Sequence, residues 1–241
     1  MNVQLDELRP VLSEAECEAA QRQLELRQQR QLAMSDTRRA LVLDAARSVF
    51  AEKGLEGAGI REIARRAGYT PGALYSYFDS KEAIYAALLS ESLDRLHAEV
   101  AAARAPKGQP HRLLAERANA WFGFYARNPR DLDLGFYLVQ GLAPRGLNPE
   151  LDRALNQRLM DALRPCEHAL EDLGLPADLA LQENAALFAH GVGLLLLQHT
   201  GRIRLFGQSA PHLFQLYVDR LIERVVPQAA GPVAQPDLFA G

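Results

Sequence analysis

The sequence predicts an all-α chain, and three observations carry that expectation. Apolar residues recur at spacings of three and four rather than two. Hairpin dipeptides such as Asn-Gly and Asp-Gly are missing, as are alternating β-branched runs. Proline and glycine fall between the periodic segments, where they mark loops. The expected organisation is a helical extension over 1–36, a helix-turn-helix unit of three helices over 37–85, a larger helical domain over 86–226 and a Pro/Ala/Gly-rich tail over 227–241.

Each element follows from local signals. Ser13 and Glu16 make an S-x-x-E capping box, and a Gln/Arg/Leu-rich helix is expected from there to about Leu32. Its apolar stripe (Cys17, Ala20, Leu24) is thin. A solvated extension is therefore the first reading; packing on the body and reaching toward DNA are the others. From Thr37 the pattern sharpens, with Leu41, Ala45, Val49 and Phe50 on one face and Gly54 as a C-cap. Ile60, Ile63, Ala64 and Ala67 form a second, shorter stripe closed by Gly68. Pro71 opens a third helix, where its missing N–H costs nothing. Ser80 caps a long fourth helix to about Arg104. Further helices are expected near 111–127, 130–142, 149–173, 177–199 and 211–226, separated by APKGQP, Asn128-Pro129, APRGLNP, Gly174 to Pro176 and GRIRLFGQSAP.

Composition narrows the function. The chain has 241 residues, 48% hydrophobic, enough for a sizeable core. A net charge of −3 excludes a basic, nucleic-acid-coating protein, so any nucleic-acid site has to be a local patch. Cys17 and Cys166 match neither a metal spacing nor a disulfide framework, which points to a reducing cytoplasm. The first ten residues lack a signal-peptide pattern. The apolar run ALFAHGVGLLLL (186–197) is shorter than the roughly 20 residues a bilayer span needs, so it reads as a buried helix with no membrane partner. Neither a phosphate-binding glycine loop nor G-x-S-x-G occurs, and the His168/Glu171 pair lacks a second pair. Neither catalysis, nor a metal, nor a cofactor is expected.

Two short helices around a glycine-containing turn can place the end of the second in a DNA major groove, about 12 Å wide. Around that turn stand Arg61, Arg65, Arg66, Thr70, Tyr75, Tyr77 and Lys81. Between Asp36 and Lys81 there are eight Lys/Arg against six Asp/Glu, a small excess. The residue order says more than the charge. ALVLDAARSVFAEKG followed by IREIARRAGYTPGALYSYFDSKEAIYAALL closely resembles the DNA-binding domain of the TetR family of bacterial transcriptional regulators. The resemblance spans about residues 37–85; beyond it, only the all-helical character and size fit.

The resemblance implies roles for particular residues. Leu74 and Phe78 become core. Tyr75, Tyr77 and Lys81 match phosphate-contacting positions, and a phenol can bury its ring while its hydroxyl meets a phosphate. Thr70 caps the recognition helix, and Arg61 matches a position able to read guanine. Pro71, Gly72 and Ala73 face the groove. Gly59 departs from the Ser or Thr common in the family before the second helix, so a hydroxyl–phosphate contact is missing there. The resemblance further implies a homodimer, formed through the last two long helices, on a palindromic operator. It also implies a small-molecule effector, and repression relieved when that effector binds.

The effector pocket is the least marked feature. Trp121, Phe124 and Tyr125 on one helix, Tyr137 on the next, Cys166 and His168 beside a kink expected at Pro165, and His190 are its candidates. Taken singly, each reads first as an ordinary core or surface residue. Their character suggests a mostly apolar, aromatic or acyl ligand. The alternative function is an architectural or adaptor protein on the same fold without an inducer. The tail also carries QPDLF (235–239), similar to a short Q-x-x-L-F peptide that binds sliding clamps, a five-residue match that chance explains.

Overall fold

The computed structural model describes residues 14–136, 147 and 149–226, and among them every regular element is helical. Ser13 of the capping box, Tyr137, most of the APRGLNP loop and the QPDLF tail lie outside the described residues.

Helix α1 runs from Glu14 to Gly57. The break expected between the extension and the first helix of the helix-turn-helix does not exist. No glycine or proline lies between Leu32 and Thr37, and the Thr37 hydroxyl donates back to the Ala33 carbonyl at 2.8 Å within the helix. The interruption comes at Gly54, whose φ of 68° only glycine adopts readily, and one further turn follows it. Leu41, expected in the core, is 51% exposed. It immediately precedes the first covered residues, and Val42, Leu43, Ala46, Val49 and Phe50 form the buried face instead.

Helix α2 (Ile60–Ala67) and α3 (Pro71–Tyr75) pack against that face through Ile63, Ala64 and Leu74. A polar clamp reinforces the contact. Arg66 donates to Glu52 at 2.6 Å and to Glu62 at 3.1 Å, while Lys53 reaches Glu62. The hydrogen bond from Lys53 holds the Glu62 carboxyl below its ordinary range, and Arg66 does the same for Glu52.

Helix α4 (Lys81–Ala102) leaves the helix-turn-helix and becomes a central strut of the remaining bundle. It packs on α1, α5 (Pro110–Arg127), α6 (Pro129–Phe136) and α7 (Pro149–Asp172). Helices α8 (Ala177–His199) and α9 (Ala210–Val225) complete the bundle, with a 3-10 turn at Arg202–Phe206 inside the connection expected to be irregular. Helix α7 continues through Pro165, and the Arg117 guanidinium donates to that residue's carbonyl at 2.6 Å.

Aromatic side chains fill the centre of the bundle. Phe122 stacks on Phe214 at 4.2 Å, and Trp121 meets Phe214 at 6.0 Å and Phe188 at 5.3 Å. Gly191 makes this possible. A Cβ there would lie 2.3 Å from the Trp121 ring and 3.0 Å from Phe214. Gly191 therefore serves the chain's own core, whereas Gly193 faces open space. Helix α8 is also less buried than its composition suggests. By length and apolarity it could cross a membrane, yet 33% of its most apolar stretch is buried. One face packs through Leu187, Gly191, Leu194 and Leu195; the other presents Leu181, Ala185, Ala189, Gly193 and Leu196 to solvent.

Two outcomes follow. Gly191→Ala overpacks the Trp121–Phe214 contact and lowers unfolding free energy by about 2 kcal/mol, measured by urea denaturation. Glu62→Gln lowers the melting temperature at pH 7, and the difference from wild type vanishes at low pH. A carboxyl whose folded pKa is depressed stabilises above its unfolded pKa, and that stabilisation is lost as pH falls through the folded value. Thermal melts between pH 7 and about pH 3 check this.

Candidate nucleic-acid interface

The turn between α2 and α3 is set by its own residues. Gly68 takes φ 75° and its N–H bonds the carbonyls of Ala64 and Arg65, closing α2. The Tyr69 N–H returns to Ala64 at 2.9 Å. The Thr70 hydroxyl accepts from the Ala73 N–H at 3.2 Å, and Pro71 takes the first helical position. Helix α3 is five residues long, shorter than its apolar pattern suggests, because Ser76 and Tyr77 form a turn before Phe78 enters the core.

This arrangement exposes a contiguous set of residues. Arg61, Thr70, Pro71, Gly72 and Tyr75 are exposed, Tyr75 by 54%, and Ala73 is half-buried. Gly72 has open space where a Cβ would lie. Arg61 has no ion-pair partner among the described residues, and Arg65 keeps only a 3.9 Å contact to Glu62. Leu74 and Phe78 behind them are buried. Ring, guanidinium, hydroxyl and a bare backbone are thus all exposed along α2, the turn and α3, and such groups suit groove edges and phosphates.

Two expected contacts are already engaged. Lys81 donates to the carbonyls of Leu55, Glu56 and Ala58 at 2.9, 3.2 and 3.4 Å, tying the start of α4 to the end of α1. Any phosphate contact of Lys81 must replace one of these bonds. Tyr77 is half-buried beside Arg38, and their hydrogen bond raises the Arg38 pKa. Arg39 lies over the Phe78 ring at 4.4 Å. The sequence analysis did not single out Arg38 or Arg39 as partners of this site, and it counted Arg66 among the basic groups around the turn without assigning it a role. The four-residue spacing of Glu62 and Arg66 was the signal that Arg66 is a strut.

Gly59 takes an extended conformation (φ −121°, ψ 141°) without a side-chain cap, and a Cβ added there would meet nothing within 4 Å.

The pocket candidates do not converge on one chamber. Trp121 and Cys166 line a void of about 10 Å³ with Ala118, Leu163, Asn184, Leu187 and Phe188, at the threshold for one water. Burial pushes the Cys166 thiol up to about 12, so it stays protonated. The Trp121 indole N–H finds no partner among the described residues. Tyr125 lines a separate void of about 40 Å³ with Leu89 and Gly135. Phe124 is buried core under Arg95. His168 is exposed in an open hollow with Asp94, His97 and Arg158. His190 stacks on Tyr217 at 4.2 Å in the α8–α9 seam, where burial lowers its pKa against a raising bond from the Leu213 backbone. A further cavity of about 50 Å³ lies between α1, α4 and α6, lined by Phe50, Leu55, Tyr85 and Leu134. The Tyr85 hydroxyl donates to the Leu134 carbonyl there.

Comparison with known proteins places this geometry. Residues 42–88 match the sequence profile of the bacterial regulatory proteins, tetR family. The chain is 35% identical over 101 residues to the HTH-type transcriptional activator FasR of Mycolicibacterium smegmatis, covering 42% of this chain and 46% of that protein. It is 46% identical over 59 residues to the HTH-type transcriptional repressor KstR2 of Rhodococcus jostii, covering 24% and 29%. The matched part thus spans less than half the length of these relatives. In fold, the chain is similar to a TetR-like transcriptional regulator from Rhodococcus sp. RHA1 (TM-score 0.59, 21% identity, 77% of this chain and 96% of that one). It is also similar to FadR from Bacillus subtilis, solved in complex with stearoyl-CoA (TM-score 0.55, 22% identity, 78% and 97%). At these identities the structures speak to the fold alone. With their turn, their buried Leu74 and Phe78, and the profile match over the same stretch, residues 42–88 form a helix-turn-helix domain of the TetR family of bacterial regulatory proteins.

Proposed function

We propose that this chain is a cytoplasmic transcriptional repressor that binds a palindromic operator as a homodimer and is released by a small, largely apolar effector. The observation that carries the reading is the exposure of Arg61, Thr70, Pro71, Gly72 and Tyr75, with half-buried Ala73 among them, on elements anchored by buried Ile63, Leu74 and Phe78. In this reading Arg61 contacts a base edge, and Thr70, Tyr75 and Tyr77 contact phosphates. Lys81 acts chiefly as a strut, with a phosphate contact only if it releases a carbonyl. Residues 37–85 form the DNA-binding unit and 86–226 the effector and dimerisation unit.

The solvent-facing stripe of α8 supports dimerisation. Leu181, Ala185, Ala189, Gly193 and Leu196 repeat at four- and three-residue spacing, and Leu216 of α9 is 37% exposed. Small residues at that spacing let a second copy approach closely, and a two-fold pair matches a palindrome. Support for an apolar effector comes from the aromatic centre of the bundle and the unpartnered Trp121 indole beside Asn184. The stearoyl-CoA held by the Bacillus subtilis protein makes an acyl chain the first ligand class to try.

The deciding experiment is selection of genomic fragments by purified protein at physiological salt. Wild type is expected to enrich one palindrome. Arg61→Ala relaxes one base position in each half-site, with about 1–3 kcal/mol of discrimination lost. Equal, salt-sensitive recovery of all fragments would instead support an architectural protein. Ala189→Arg on the open α8 stripe is expected to yield a monomer by analytical ultracentrifugation and to abolish palindrome selection. Trp121 is the only tryptophan and is 2% exposed, so long-chain acyl-CoA is expected to shift its fluorescence and release the operator. No shift with any acyl or aromatic ligand removes the effector from the proposal.

A further inference from the structure

Helix α1 runs a long way uncovered before it meets the body. From Gln21 to Leu41 every residue is exposed except half-buried Ser35, and Val42 is the first buried residue after them. From Glu14 to Val42 the helix advances about 40 Å at 1.5 Å per residue. No turn separates this length from the helix that carries the core, so its direction is fixed by the body.

Between Gln23 and Arg38 the charges on this helix are sorted by face. At about 100° per residue, Arg27 and Arg38 fall about 20° apart, and Arg30 lies about 60° to one side. Gln23 and Gln31 fill in the same face, within about 40° of Arg27. Glu18, Glu25 and Asp36 lie on the opposite face, within about 20° of one another. Glu18 is occupied by Arg22 at 3.3 Å. Arg27 and Arg30 are exposed and have no ion-pair partner among the described residues. The basic face is also placed. Gln31, Met34 and Arg38 line a groove with Tyr77, two residues past the recognition helix. The basic stripe therefore emerges beside the surface proposed to meet DNA, and the acidic face turns away.

We infer that residues 23–38 of α1 form a second DNA-contacting surface, in which Arg27, Arg30 and Arg38 lie along phosphates flanking the half-site addressed by α2 and α3. The inference rests on the DNA-binding reading above and extends it. Charge complementarity selects this occupant: a stripe of guanidinium and carboxamide donors fits phosphate oxygens, and its sparse apolar groups do not fit a protein core. The reach from Arg27 to Arg38, about 16 Å, spans several phosphates of one strand. Backbone contacts of this kind add affinity without adding sequence information. They also stand in for the phosphate contact that Gly59 cannot make.

The test uses the full chain, with the selected operator and flanking DNA. Arg27→Gln/Arg30→Gln is expected to weaken binding about tenfold at 50 mM salt and to flatten the dependence of log K on log salt by about 0.9 for each contact removed. The selected sequence stays the same, and ethylation-interference sites outside the palindrome disappear. Glu18→Gln/Glu25→Gln on the opposite face does not weaken binding or flatten the slope. If wild type selects a palindrome and the arginine double variant matches its affinity, slope and interference pattern, the second surface is wrong while the DNA reading stands. If wild type itself selects nothing, the DNA reading has failed first. Both variants change exposed side chains, and circular dichroism confirms that the helix persists.

Discussion

A five-residue helix has no stability of its own. Nucleating a helical turn costs more than so short a segment returns, so α3 exists only because Leu74 and Phe78 are buried against α1. Each such side chain contributes about 2 kcal/mol when fully removed from water. The Thr70 cap and Pro71 then fix the start of the helix, and the turn at Ser76 and Tyr77 fixes its end. Every exposed group proposed to meet DNA inherits its position from this burial. That is why the pattern from Ile60 to Phe78 is so crowded. Core, cap and contact residues alternate within one or two positions of each other.

The same constraint links the small unit to the large one. Helix α4 begins at the Ser80 cap, is tied to the end of α1 through Lys81, and then runs 22 residues into the bundle. Tyr85 sits at the crossing. Its ring meets Phe50 of α1 edge-on at 5.3 Å, and its hydroxyl reaches the backbone of α6. Arg95 of α4 pairs with Asp131 of α6 at 2.5 Å. A displacement of α6 therefore acts on α4 through two defined contacts, and α4 carries the helix-turn-helix at its N-terminal end. The cavity of about 50 Å³ beside Tyr85 leaves room for side-chain adjustment at this crossing.

The fold class and the helix-turn-helix were legible because their signals are local. Gly68, Thr70, Pro71 and Ser80 each announce a helix end through their own backbone preference or hydroxyl, and each does that job in the structure. Features set by distant neighbours were not legible. Leu41 follows the apolar period, but no element covers it. Nothing beside Gly191 in sequence sets it apart from Gly193, yet the indole of Trp121, seventy residues earlier, requires a glycine there. The pocket candidates had no local signal to unite them, and the bundle distributes them among separate voids and the surface.

The weak charge signal in the sequence has a structural explanation. Eight cations against six anions between Asp36 and Lys81 looks too balanced for a DNA site. The structure sorts those charges by use. Lys53 and Arg66 are consumed by Glu52 and Glu62, Arg47 by Asp44 and Glu91, and Lys81 by backbone carbonyls. These groups fix α1, α2 and α4 relative to one another, and the anions they engage lie in the clamp rather than on the α3 surface. Arg61 and Arg65 remain turned outward, with Arg38 beside Tyr77. A formal count adds paired struts and outward-facing cations together, and so understates the field around the turn and α3. The same reasoning applies to residues 23–38 of α1, where near-neutral composition conceals a stretch of helix whose opposite faces carry opposite sign.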